Sequence, residues 1–116
     1  MKDFENIAAL MADIGARARA LEQQCVTAMA SLVGHCDWNE MIDVSVGRGG
    51  VFGPPDTGFP EDGILASGVL NAPGWTCAEV DLAAVAHVRA DGHVLNHRHW
   101  SEQGGRDAPA PPIRLR

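Results

Sequence analysis

Residues 16–34, ARARALEQQCVTAMASLVG, change from a helical pattern to a strand-like pattern within one short stretch. Upstream and through the first half of this stretch, apolar residues recur at steps of three and four, which places them on one stripe of an amphipathic helix. From Cys25 to Gly34 both alternating faces are mostly apolar, as in a strand buried on two sides. The junction therefore predicts a helix that leads into a buried strand. The stripe consists of Phe4, Ile7, Met11, Ile14, Ala18, Leu21 and Cys25.

This stripe allows two interpretations. Its spacing fits a coiled-coil seam of about three heptads. It also fits a helix that docks against a sheet, and the strand-rich remainder of the chain favours this second interpretation. Asp3 is the predicted N-cap of the helix, because its side chain can accept a hydrogen bond from an unpaired backbone amide.

The remainder of the chain predicts several strands and a short second helix. Asp81 is a suitable N-cap for that helix, and Gly92 is a suitable end. The predicted class is therefore α/β in the broad sense, with helices and a mixed sheet (α+β), over residues 1–100. Residues 101–116 are rich in glycine and proline and predict a flexible tail. The further strands are predicted at Met41–Val46, Val51–Phe52, Ile64–Leu70, Trp75–Val80 and His93–Trp100.

Composition excludes several classes of function. The chain has 116 residues, enough for one domain, and its 46% hydrophobic content argues against disorder. A net charge of −6 argues against a nucleic-acid partner, which requires clustered positive charge. No apolar run approaches a membrane span, so we expect no membrane partner. The three cysteines show no paired spacing, which is typical of a reducing compartment and predicts a cytoplasmic protein.

Few residues offer a catalytic pattern. Cys36 is flanked by His35 and Asp37, but successive side chains of an extended segment point apart, so adjacency does not make a catalytic pair. Cys25 and Cys77 lie in apolar stretches and are expected to be small core residues. Two carboxylates, Glu40 and Glu61, are expected to be solvated loop residues.

Two further motifs contain groups that could bind a ligand. Gly47–Gly50 offers backbone amides to a phosphate, but it lacks the Lys-Ser/Thr pair of a P-loop, so a tight turn or bulge is expected there. His93, His97 and His99 fall on one side of the chain if their segment is extended, which would suit zinc or copper. This set defines an alternative function, a small non-catalytic interaction module that binds metal. Nothing in the sequence indicates a cofactor.

Read in order, several segments resemble the carbon–nitrogen hydrolase (nitrilase-like) superfamily. Ala16–Cys25 is similar to its Arg-Ala-x-Glu-Asn helix end, and Val26–Gly34 to the apolar strand that follows. Gly49–Asp56 resembles the family's hairpin, and Leu65–Leu82 its strand that ends in Asp-Leu. Val88–Arg89 fits the arginine of the next short helix. The sequence departs from the family where Gln24 and Ser31 replace asparagine and where Gly50 replaces serine.

The resemblance implies a fold, a chemistry and a deficit. The family fold is an α-β-β-α sandwich, and this chain would supply its C-terminal part. Family members hydrolyse amide, carbamoyl or nitrile substrates with a cysteine nucleophile, a glutamate base and a lysine, and all three precede the matched region. The chain has a single lysine, Lys2, so the resemblance assigns it no catalytic residue. Trp38 and Arg48 are the expected substrate contacts, and a homo-oligomer is the expected assembly.

Overall fold

The described part of the chain contains two α-helices and five short strands. The computed structural model describes residues 2–39, 41 and 44–104, with side chains from residue 7 onward. Within these residues the chain combines helices with antiparallel strands, which confirms the predicted α+β character. In chain order the elements are α1 (Lys2–Gln23), β1 (Thr27–Met29), β2 (Gly34–His35), β3 (Val44–Ser45), β4 (Gly50–Phe52), β5 (Ile64–Ser67), α2 (Leu82–Asp91) and a 3-10 turn (Trp100–Glu102).

Strand β4 forms the centre of a three-stranded sheet with the order β1-β4-β5. Val51 pairs with Ala28 of β1 on one side and with Ala66 of β5 on the other. An irregularity between Val51 and Phe52 shifts the β5 register there. Strands β2 and β3 form a separate two-stranded ribbon. The predicted strand at residues 51–52 is confirmed. Of residues 64–70 only Ile64–Ser67 is a strand, and of the described residues of 41–46 only Val44–Ser45 is one.

Helix α1 packs against β1 and β4, but not through the predicted stripe. The residues that it buries are Ala9, Asp13 and Ala20. In a helix of 3.6 residues per turn, their face lies about 150° around the axis from the stripe. The expectation that the stripe docks on the sheet is therefore wrong, because small alanines allow the closer approach and the larger side chains stay outside. The stripe residues Ile7, Met11 and Ile14 are each more than half exposed.

The sequence predicts both ends of α2 correctly, but not the start of α1. Helix α1 begins at Lys2, so Asp3 lies inside its first turn and is not its N-cap. Asp81 caps α2 as predicted, since its carboxylate accepts a hydrogen bond from the backbone amide of Ala83 at 2.8 Å. Gly92 ends α2 as predicted, and its amide donates to the carbonyl of Val88.

Only one face of the three-stranded sheet is covered by a helix. Phe52 is 2% exposed and shares the α1 side with Arg48, which reaches Asp13 of the helix. Because adjacent residues of a strand point to opposite faces, Ala28, Val51 and Ala66 form a row on the other side. Ala28 is exposed and the other two are half-buried. The sheet therefore presents an open apolar face away from α1.

The molecule exposes far more surface than a compact monomer of its size. Its accessible area is 9087 Å², against about 6,100 Å² for a folded monomer of this mass. Its radius of gyration is 18.3 Å, against about 13 Å for a compact chain of this length. Large apolar side chains contribute to this area, among them Ile7, Met11 and Leu32, which are 51%, 68% and 84% exposed.

Two predicted strands are wrong. Trp75–Val80 alternates between exposed and half-buried residues, as a strand does, but no strand is assigned there. Among the described residues, no backbone hydrogen bond joins it to a neighbour. His93–Trp100 forms turns that lead into the 3-10 helix instead of a strand. Most of the predicted tail, from residue 105 on, lies outside the described residues.

Within the described part of the chain, no helix combines the length and the apolar character needed to cross a membrane.

Candidate functional site

A cavity of about 360 Å³ lies between the end of β1, the glycine-rich segment before β4 and the loop after β5. Arg48, Gly49 and Gly50 form one wall, and Pro73 to Thr76 form another. Trp75 stands at this cavity and is 97% exposed. Arg48, one of the two expected substrate contacts, is therefore part of the lining of this cavity.

The glycines of this wall are needed for close packing and not for a left-handed turn. Among the described glycines, only Gly34, Gly58 and Gly63 have positive φ. A Cβ on Gly49 would lie 2.5 Å from Oγ1 of Thr76, and one on Gly68 would lie 2.7 Å from the same atom. The side chain of Thr76 therefore occupies the space that both glycines leave free. No turn is assigned at Gly47–Gly50, so the tight turn expected there is wrong, and the ladder irregularity lies further along the chain, between Val51 and Phe52.

Arg48 is held by a buried carboxylate of α1. Its Nε lies 3.0 Å from Oδ2 of Asp13, and its Nη2 contacts the same oxygen. The side chain of Asp13 is 6% exposed, and its Oδ1 is buried without a hydrogen-bond partner among the described residues. The hydrogen bond that Arg48 donates to Asp13 raises the pKa of Arg48, while partial burial opposes this shift. Arg48 thus joins the helix to the sheet at the edge of the cavity.

Trp38 lies apart from this cavity wall, in the loop of the β2–β3 ribbon. It is 84% exposed. The turn around it is closed by a hydrogen bond from the amide of Asn39 to the carbonyl of Cys36 at 3.5 Å. The structure therefore does not place Trp38 and Arg48 on one cavity lining. Glu40, in the same loop, lies outside the described residues.

A second polar cluster connects the loop after β4 to the end of α2. Oδ1 of Asp56 accepts a hydrogen bond from Nδ1 of His93 at 2.8 Å, and its Oδ2 accepts one from the His93 amide at 2.8 Å. The Asp56 side chain is only 3% exposed, whereas that of His93 is 84% exposed. Burial opposes ionisation of Asp56, but these bonds and the amides of Thr57 and Val94 hold its pKa well below the usual range.

This cluster resembles a catalytic triad in composition but not in geometry. Oγ1 of Thr57 lies 3.5 Å from Nδ1 of His93, the same nitrogen that Asp56 engages. In a working triad the carboxylate and the nucleophile contact different ring nitrogens, so that the imidazole can move a proton between them. Asp56 and Thr57 cannot be connected in this way, so the cluster is an anchor between two segments.

The cysteines also lack a catalytic arrangement in the part of the chain described. Cys36 is half-buried and has no hydrogen bond from its neighbours His35 and Asp37 there. Cys25 is half-buried, with its Sγ 3.9 Å from the carbonyl of Arg19. Cys77 is exposed, so its assignment to the core is wrong. The reason is that the strand predicted around it has no neighbour to bury it.

The three histidines do not share a face. Their segment turns instead of extending, and each histidine has a different local partner. Across the described residues, no group of three or more His, Cys, Asp or Glu side chains is placed to hold a metal ion. The geometry that suggested a metal site is therefore wrong. His93 contacts Asp56, the amide of His97 donates to Gln24, and His99 lies 3.9 Å from Glu102.

Gln24 has a structural role that was not predicted from the sequence, where it was only a departure from the family's asparagine. It ends α1 with a positive φ of 46° and is 1% exposed. Its Nε2 donates to the carbonyls of Val88 and Val94, and its Oε1 accepts from the amide of His97 at 2.8 Å. Its own carbonyl accepts from Arg89 at 2.9 Å. One side chain thus ties the end of α1 to α2 and to the segment beyond it.

Asp13 was also missed, although a signal for it is present. It lies at helical spacing with Ala9, Ala16 and Ala20, a narrow face of small residues that the larger apolar stripe obscured. A carboxylate on such a face is expected to meet a cation when the face is buried.

Comparison with known proteins gives one relative to report. The chain is similar to the probable hydrolase YhcX of Bacillus subtilis (strain 168), with 32% identity over 78 residues. The matched segment is 67% of this chain, but it spans only 15% of the length of that protein. No family model matches the chain. No solved structure matches it significantly.

Proposed function

We propose that this chain is the C-terminal scaffold part of a carbon–nitrogen hydrolase. Its identity of 32% over 78 residues with a probable hydrolase carries this proposal, together with the family resemblance of the same segments. In such an enzyme, the cysteine attacks the amide, carbamoyl or nitrile carbon of the substrate. The glutamate moves the proton, and the lysine stabilises the developing negative charge. We assign all three catalytic groups to another segment of the enzyme, and this chain provides the scaffold for that segment.

The open apolar face of the sheet is an argument for a second sheet packed against it. Two sheets that pack face to face bury their inner apolar rows against each other. The row Ala28, Val51 and Ala66 has this character and lies opposite the helix-covered face. One helix layer and one sheet correspond to half of the proposed α-β-β-α sandwich, and the missing half would cover the row.

The unpaired extended segment supports the same proposal. Trp75–Val80 has the alternating exposure of a strand but lacks a ladder partner among the described residues. An extended segment with unpaired backbone groups favours the addition of a strand beside it. A strand from the catalytic segment would supply this ladder partner.

Within the assembled enzyme, we assign two residues of this chain to the substrate. Arg48 lines the 360 Å³ cavity, and its side chain would be oriented by Asp13. Trp38 would offer an aromatic surface from the β2–β3 loop. Neither residue has a proton-transfer role, because a guanidinium stays protonated and an indole does not titrate.

The test is an assay of the purified chain, alone and together with the part of YhcX that precedes the matched region. We expect no hydrolysis of simple amides or nitriles by the chain alone. We expect hydrolysis by the mixture, and its loss when the cysteine nucleophile of the added part is replaced. The matched control is Ala28→Asp in this chain, which places a charge on the open face and should prevent assembly without disturbing the α1 side.

Two results would overturn the proposal. The first is turnover by the 116-residue chain alone that disappears in Cys36→Ala. The second is a mixture that neither associates nor hydrolyses any substrate of these classes, while each component is folded by circular dichroism.

A further inference from the structure

A further cavity, of about 320 Å³, lies between the end of α1 and the segment that follows α2. Arg89 of α2 is part of its lining, and we call it the Arg89 cavity. It shares no lining residue with the cavity at Arg48. A wider concavity of about 420 Å³ adjoins it and shares part of its lining. The proposed function uses neither of these two concavities.

Arg89 brings a positive charge to this cavity without an acidic partner among the described residues. It is half-buried, and its Nε donates to the carbonyl of Gln24 at 2.9 Å. Three other arginines, Arg19, Arg48 and Arg98, each have a carboxylate within 4.0 Å. In the part of the chain described, no carboxylate comes that near to Arg89, and its two terminal nitrogens form no hydrogen bond. An anion would stabilise this guanidinium, because burial has removed part of its hydration.

Two uncharged donors accompany the guanidinium in the lining. Nδ2 of Asn96 donates to the carbonyl of Glu22 at 3.4 Å, and the same amide nitrogen carries a second N–H. The backbone amide of His97 donates to Gln24 at 2.8 Å, whereas its imidazole forms no hydrogen bond within the described residues. A neutral imidazole has one N–H to donate. The cavity therefore combines one cation with two further N–H donors, which is a donor set that suits an anion.

Glu22, an acidic residue of the same lining, limits the charge that the cavity can accept. Its carboxylate is 57% exposed and lies 3.6 Å from Nη1 of Arg19, so its partner is Arg19 and not Arg89. One guanidinium compensates one negative charge, and its terminal N–H groups match the two oxygens of a carboxylate. A phosphate group carries a charge of about −1.5 to −2 near neutral pH, and Glu22 would repel the excess. The charges therefore favour a monoanion.

We propose that the Arg89 cavity binds a small monocarboxylate. The two carboxylate oxygens accept hydrogen bonds from the terminal nitrogens of Arg89, and the N–H groups of Asn96 and His97 supply further donors. A volume of about 320 Å³ is at the lower end of the range for small-molecule sites, so the ligand is a short acid. The site is separate from the substrate cavity and does not depend on the proposed function.

Cys25 provides a reporter of occupancy, because it is half-buried and lines the same cavity. The chain has three cysteines, so Cys36→Ser and Cys77→Ser together leave Cys25 as the one thiol of the full chain. Iodoacetate and iodoacetamide alkylate a thiolate by the same step, in which the sulfur forms a bond to carbon and iodide leaves. The two reagents are nearly equal in size, but only iodoacetate carries a carboxylate. The ratio of their rates therefore separates the effect of that charge from the reactivity of the thiol.

The concentration dependence of alkylation tests whether a site exists. We expect the iodoacetate rate to saturate as the reagent concentration rises, because the carboxylate binds before the sulfur reacts. The iodoacetamide rate should rise linearly. Sodium acetate should slow the iodoacetate reaction by competing for Arg89, and sodium phosphate at equal ionic strength should slow it less.

Substitution of Arg89 tests which residue binds the carboxylate. Arg89→Gln should lower the ratio of the iodoacetate rate to the iodoacetamide rate about fivefold, since it removes charge-assisted hydrogen bonds. Arg89→Lys should recover part of the ratio, because it keeps the charge but not the planar fork. The matched control is Arg98→Gln, which removes the same charge from an exposed arginine outside the cavity lining and should leave the ratio unchanged. Circular dichroism should show the same helix content in all of these proteins.

Three results would overturn the proposal. They are an iodoacetate rate that stays linear and is unaffected by acetate, stronger protection by phosphate than by acetate, and a ratio that falls as much in Arg98→Gln as in Arg89→Gln. The competition with acetate needs no variant of Arg89, so it tests the site even where Arg89→Gln does not fold. None of these measurements involves hydrolysis, so their outcome is separate from that of the proposed function.

Discussion

The carboxylate of Asp56 lies 2.8 Å from Nδ1 of His93, and this contact joins the loop after β4 to the end of α2 across 37 positions of sequence. The two partners differ in environment, since the Asp56 side chain is almost fully buried and that of His93 is mostly exposed. The exposed imidazole shields the carboxylate while the backbone amides of the α2 end bind it. This arrangement gives the fold a defined sensitivity to acid.

Asp56 should make the stability of the chain depend on pH at the acidic end. Its pKa in the fold lies below the ordinary value of 3.8, so the ionised carboxylate stabilises the fold above about pH 4, and this contribution is lost as the pH falls below that value. We expect the midpoint of thermal unfolding to decrease below pH 4 in the wild type, and to decrease less in Asp56→Asn. The exposed Asp91→Asn should behave like the wild type, and an identical profile in Asp56→Asn would contradict the prediction.

Gln24→Ala should destabilise the chain by about 2 kcal/mol, because it removes the side-chain donor to the carbonyls of Val88 and Val94 and the acceptor of the His97 amide. Chemical denaturation measures the change. Gln23→Ala, which alters the exposed neighbour, should change the free energy of unfolding little. If the two variants unfold at the same denaturant concentration, the connecting role of Gln24 is wrong.

Arg48→Ala should cost about 2 kcal/mol of stability, because it leaves the buried carboxylate of Asp13 without its cation; the value is below that for a fully buried pair because Arg48 is partly exposed. Asp13→Ala combined with Arg48→Ala should be more stable than Arg48→Ala alone. A double-mutant cycle from urea denaturation measures this coupling. Strict additivity of the two changes would show that the pair does not interact.

Gly49→Ala should destabilise the segment before β4, since the added Cβ would lie 2.5 Å from Oγ1 of Thr76. Thr76→Ala removes that oxygen and should restore part of the lost stability in the double variant. Gly74→Ala is the control, because a Cβ there meets no atom within 4 Å. Thermal unfolding of the four proteins checks this, and the absence of any rescue would place the clash elsewhere.

The elements that the sequence predicted well depend on local interactions. The long helix, the strands at residues 51–52 and 64–67, and the Asp81 cap of α2 each follow from periodicity or from a hydrogen bond between near neighbours. The failures at Trp75–Val80 and His93–Trp100 have a different cause. A strand needs a ladder partner, and nothing in the local pattern shows whether that partner is present.

In the candidate site, too, the contacts between distant residues could not be predicted from local sequence. The family resemblance implied that Arg48 contacts substrate, but the sequence did not indicate its partner Asp13, which lies 35 positions away. His93 was considered for metal with His97 and His99, and instead binds the buried Asp56. Both results depend on which distant segments the fold brings together.

The sequence alone determined the α+β class, the amphipathic helix and the absence of a buried internal lysine from the chain, because composition and periodicity are local properties. Only the tertiary structure decided which face of α1 meets the sheet. Small alanines pack more closely on a sheet than large side chains do, so the stripe with the stronger apolar pattern remained outside. Periodicity shows that a helix has an apolar face, but packing between distant segments selects the face that is buried.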